Sequence, residues 1–162
     1  MGIIELQERE NISDDVELSK QYAQMQEFLS ELRERNLPEK VISIANQKIH
    51  EINTYAYDNK MLRKVIRIKQ KDILHYIVQE TNIVPKKFYK YRWASFGVPM
   101  SIPFSAFTLA FFNDYIGNGF LSTVLVNAFF VIISASIGAY FGARKDKKAF
   151  SEGRQLKANV SY

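Results

Sequence analysis

Asp72 and His75 stand three residues apart in a helix-patterned stretch, the spacing at which one helix face offers two ligands to a metal ion. Nothing completes such a site. The other histidine, His50, is far along the chain, and none of the 162 residues is a cysteine. The pair reads as a polar surface pair. The chain also shows no glycine-rich phosphate loop, no nucleophile motif and no paired carboxylates set for acid–base work. No catalytic, cofactor-binding or metal-binding residue is assigned, and the expectation is a protein that is not an enzyme. The missing cysteines exclude disulfides and thiolate metal sites and agree with a reducing compartment.

The legible chemistry belongs to bases set against two uncharged runs. Residues 93–112 and 120–141 carry no charge, and each is long enough to cross a hydrocarbon core of roughly 30 Å as a helix. Lys86, Lys87, Lys90 and Arg92 precede the first run, Arg144, Lys145, Lys147 and Lys148 follow the second, and the turn 113–119 has no base. Lys and Arg accumulate on the cytoplasmic side of a span. The pattern therefore predicts a transmembrane hairpin in the cell (inner) membrane, with both termini cytoplasmic and the turn outside. Lys86, Lys87, Lys90, Arg92, Arg144 and Lys145 are candidate contacts for anionic lipid headgroups. Phe88, Tyr89, Tyr91 and Trp93 sit where an aromatic belt is expected.

Small residues recur every four positions in both runs: Gly97, Ser101 and Ser105 in the first, Ser134, Gly138 and Gly142 in the second. Such stripes let helix backbones approach closely in lipid. Antiparallel folding about the turn places Gly97 near Ala135, Ser101 near Val131 and Ser105 near Asn127. Asn127, the strongly polar side chain deep in the runs, reads as an interhelical hydrogen-bonding residue. The stripes serve packing within the chain or between copies. Pro99 and Pro103 each remove a backbone donor, and a kink is expected there.

The elements before the runs are helical by period. Residues 1–13 show no sustained pattern and read as a flexible tail. Asp14 with Glu17 resembles a capping pair, and Leu18, Tyr22, Met25, Leu29 and Leu32 then form a heptad-like stripe. Pro38 opens a second helix, expected to continue to about Thr81 since no glycine or proline intervenes. A short turn between these helices predicts an antiparallel, coiled-coil-like hairpin over residues 14–81. Its first helix reaches only half of the second. Leu62, Ile66 and Ile73 would be left exposed for another chain, another copy or the N-terminal tail to cover. Residues 1–40 hold ten acids against five bases, and residues 41–81 seven bases against four acids. Opposed charge favours their docking. Residues 82–92 form a basic-aromatic juxtamembrane segment and 142–162 a basic cytoplasmic tail.

The fold class expected is an all-α membrane protein, a cytoplasmic helical hairpin followed by a two-helix transmembrane hairpin. The mean hydropathy of −0.19 averages these two unlike halves. The function expected is a membrane-anchored adaptor, scaffold or regulatory subunit, with a protein partner or self-association, no cofactor and no nucleic acid. The alternative is a homo-oligomeric pore or permeability effector, with polar residues of both spans lining a path.

Overall fold

The computed structural model describes residues 2–7, 12–55, 58–116, 119–158 and 160. A 3-10 turn (Ile12–Asp14) leads into five helices: α1 (Val16–Arg33), α2 (Glu39–Asn53), α3 (Asn59–Thr81), α4 (Phe88–Ile116) and α5 (Phe120–Ser151). They divide into two compact units, one of Met1–Lys86 with Arg154–Tyr162, the other of Lys87–Gly153.

The first unit differs from the expected two-helix hairpin. The cap of α1 is Asp15 rather than Asp14: its Oδ1 accepts from the N–H groups of Glu17 and Leu18, each at 3.1 Å. The long second helix is instead two, α2 ending at Asn53 and α3 beginning at Asn59, with residues 56 and 57 outside the described part. Thr54 turns its hydroxyl back to the His50 carbonyl (2.9 Å), and Asp58 caps a new helix through the Lys60 N–H (3.4 Å). Such side-chain bonds end a helix without glycine or proline. The break lets α3 fold back. Among the described residues α1 and α2 each pack on α3, and their backbones make no close approach to one another. Asn82 in the left-handed conformation (φ 55°) then ends α3.

The core of this unit joins Leu18, Met25, Phe28, Leu29 and Leu32 of α1, Ala45, Ile49 and Ile52 of α2, and Leu62, Ile66, Ile73, Leu74 and Ile77 of α3. Non-helical pieces from both ends of the chain complete it. Leu6 is buried from the N-terminal side, and Leu156, Ala158 and Val160 from the other. Residues 2–7, expected as part of a flexible tail, are docked; residues 8–11 lie outside the described part. The C-terminal piece pairs in parallel with Val84: Val84 N–H donates to the Arg154 carbonyl and Leu156 N–H to the Val84 carbonyl, both at 2.9 Å.

The second unit is an antiparallel pair. Residues 88–112 and 120–151 form helices long and apolar enough to cross a membrane, the most apolar 18-residue stretch of each having a mean hydropathy of 1.4 and 2.2. Their outer faces present Phe96, Met100, Phe107, Leu125, Phe129 and Ile132. α4 keeps helical angles through Pro99 and Pro103 and departs from them at Phe112 (φ −113°, ψ 17°) instead. It resumes to Ile116, so the turn is shorter than 113–119; residues 117 and 118 lie outside the described part.

Candidate functional site

In the second unit, the small residues meet backbone. A Cβ on Gly97 would lie 2.6 Å from the main chain of Ser134 and Ala135; Gly138 stands against the Trp93 carbonyl and Gly142 against Tyr89 and Lys90. Side chains larger than hydrogen do not fit there. Ser101 and Ser105 are buried on the same seam. The Ser101 hydroxyl turns back to the Val98 carbonyl (2.6 Å), and Ser105 Oγ reaches Asn127 Oδ1 at 2.7 Å. Asn127 Nδ2 donates to the Thr123 carbonyl (2.8 Å), and Phe104 stacks with Phe130 one turn away.

The open end of this pair gathers the bases. Arg92 lies over the Phe88 ring, Arg144 over Tyr140 and Lys145 over Trp93, the last two at 4.8 and 4.7 Å. Lys87, Lys90, Arg92, Arg144 and Lys145 are exposed, as is Lys86 at the end of the first unit. Sequence reasoning missed Asp146. Its carboxylate accepts from the N–H groups of Tyr89 (3.0 Å) and Lys90 (2.9 Å), satisfying two orphan donors at the start of α4. Two signals pointed to it. It extends the Ser134, Gly138, Gly142 spacing by one turn, and it is a lone acid among four bases.

In the first unit, the expected partner residues require a correction. Leu62, Ile66 and Ile73 are 0 %, 1 % and 1 % exposed. Because α1 as well as α2 packs on α3, the seam expected to be surplus is covered by the chain's own core. The outward face of α3 is different in kind. Lys60, Lys64, Arg67 and Lys71 are exposed at spacings of four, three and four, with Met61 and Ile68 open beside them. Glu17, Gln21, Arg63 and these bases line a shallow groove. Arg63 is held by Glu17 and, at 3.8 Å, by Asp15. Turned to satisfy both of its ends, the Gln21 amide donates to the Arg63 carbonyl and accepts from Arg67.

Two further devices read main chain. Glu31, with Arg35 at 2.7 Å, accepts from the N–H groups of Lys157 (2.8 and 2.9 Å) and Ala158 (2.8 Å), while Arg35 donates to the Gln155 carbonyl (2.9 Å). Burial pushes the Glu31 pKa up, and the two N–H groups with Arg35 outweigh it, so the net shift is downward. Asn46 and Asn53 of α2 and Arg33 of α1 bond the backbone of residues 2–7. Neither device left a periodic trace in the sequence.

Asp72 and His75 gain no third ligand: among the described residues no three metal-ligating side chains stand together. No family model, curated protein or solved structure matches this chain.

Proposed function

We propose that the chain is a membrane-anchored adaptor. The α4–α5 hairpin spans the cell membrane with the first unit on the cytoplasmic side, and the outward face of α3 binds an acidic surface on a partner protein. The observation that carries this reading is the division of α3. Its apolar seam is spent on the core, while Lys60, Lys64, Arg67 and Lys71 line up on the open face with Met61 and Ile68. Bases interleaved with exposed apolar side chains suit a protein surface, where charge steers the encounter and apolar area holds it. The apolar outer faces of α4 and α5 suit lipid. The bases gathered at one end of the hairpin support a cytoplasmic placement of that end. A pore needs an outward polar lining, and Ser101 and Ser105, two of the polar residues that could supply it, are buried instead.

The test is charge reversal of Lys60, Lys64, Arg67 and Lys71 to Glu in the full chain. Chemical cross-linking in native membranes should lose a partner adduct of defined mass, with membrane insertion and thermal midpoint unchanged. An adduct that survives reversal, or one replaced by binding of the native face to phosphatidylserine vesicles alone, contradicts the reading. Topology is checked separately. Gly119→Cys should react with an impermeant maleimide in intact cells and Ser151→Cys only after permeabilisation; the opposite pattern inverts the orientation.

A further inference from the structure

We propose that Arg33, Asn46 and Asn53 form a peptide site that reads the main chain of an extended segment, filled in cis by residues 2–7 and open in trans to an extended segment of another protein. Asn46 Oδ1 accepts from the Ile4 N–H (2.9 Å), and its Nδ2 donates to the Gly2 carbonyl (3.0 Å). Asn53 repeats this on Gln7 N–H (3.0 Å) and the Glu5 carbonyl (3.1 Å). Arg33 donates to the Ile3 and Ile4 carbonyls at 3.2 and 2.9 Å.

The spacing fits an extended ligand. Asn46 and Asn53 are separated by about 10.5 Å along α2, at roughly 1.5 Å per helical residue. A chain spans at most roughly 3.3–3.6 Å per residue, so the three steps from Ile4 to Gln7 cover about 10 Å when stretched, enough to reach both side chains. Each of these bonds reaches an amide or carbonyl of the backbone, so the bonds themselves do not select side chains. The site sets two conditions: apolar side chains at the places of Leu6 and Ile3, which pack on the core, and no proline at the places of Ile4 and Gln7, whose N–H groups are read. Leu6 is the one buried side chain of the segment, and a cavity lined by Leu6, Gln26, Leu29, Ser30 and Arg33 stays open beside it. The C-terminal piece differs, since it buries Leu156, Ala158 and Val160 and is built into the core. Main-chain reading of an extended partner is a recurrent mode of peptide recognition.

The proposal rests on the adaptor reading only in supposing a partner; its chemistry is tested with a peptide. Gln7→Pro in the full chain removes one donor and frees the cis segment. A fluorescent peptide with the sequence of residues 2–7 and a charged tail should bind this variant at least tenfold tighter than the native chain, in detergent micelles. Adding Asn53→Ala should lose that gain, and Asn46→Asp, which keeps the acceptor and removes the donor, should lose part of it with the helical signal unchanged. A peptide with proline in place of Ile4 should not bind, and one with proline in place of Glu5 should. Equal weak binding to both chains, or binding that ignores the Ile4 proline, overturns the site. Loss of peptide binding with the α3-dependent adduct intact sinks the site alone; loss of the adduct with peptide binding intact sinks the adaptor face alone.

Discussion

Ser105 on α4 bonds Asn127 on α5, hydroxyl to amide oxygen, at 2.7 Å. The bond fixes the same register that seats Gly138 against Trp93 and Gly142 against Tyr89. Packing should matter more than the bond. Interhelical hydrogen bonds in lipid are worth about 0.6 kcal/mol on average, whereas overpacking costs about 1–3 kcal/mol. Gly138→Leu is therefore expected to lower hairpin stability more than Asn127→Leu, and Ser136→Leu, on the exposed face, should be neutral. Steric trapping of the hairpin in bicelles measures all three.

The Asp146 carboxylate supplies the N-terminal cap that α4 lacks locally, where Lys87 stands at φ 61°. Loss of a cap costs about 0.5–2 kcal/mol. Asp146→Ala should speed amide exchange at Tyr89 and Lys90 and leave the first unit unaffected. Asp146→Asn keeps one acceptor and should recover part of the protection.

The buried α3 seam gives a stability prediction in place of a binding one. Leu62→Ala, Ile66→Ala and Ile73→Ala should each destabilise the first unit by about 2–5 kcal/mol, through lost transfer energy and the cavity left behind. Urea unfolding followed by the far-UV helical signal would show this as a shifted midpoint. An unchanged midpoint with lost partner binding would restore the exposed-seam reading.

Glu31 makes the docking of the C-terminal piece acid-sensitive. Its pKa is held below the ordinary 4.5 in the folded chain, so the charged carboxylate stabilises the fold above that value. That contribution falls away as pH drops through the folded value and is gone below both. The amide signals of Lys157 and Ala158 should shift with this titration and stay constant above it. Glu31→Gln should remove the pH dependence.

The hairpin was legible because small residues at four-residue intervals permit few registers: Gly97 sits on Ser134 and Ala135, Ser105 on Asn127. The charge contrast was legible too, since Arg63 meets Asp15 and Glu17 across α1 and α3. The partner of α1 was not. Nothing between Pro38 and Pro85 breaks a helix by type, and the break comes from Thr54 bonding His50 and Asp58 capping α3. That short interruption redirects α3 onto α1 and closes over Leu62, Ile66 and Ile73. The docked ends escaped notice for another reason. Asn46, Asn53 and Glu31 bond backbone, which has no sequence signature at the receiving end.

The adaptor account is tested most directly by a photoreactive residue in place of Ile68, on the open face of α3, in the full chain in its native membrane. The account requires a protein adduct of one defined mass, absent when Lys60, Lys64, Arg67 and Lys71 are reversed to Glu. The same probe at Phe129, on the outer face of α5, should give lipid adducts only. Lipid adducts alone from position 68, or a protein adduct that survives the reversal, would contradict it.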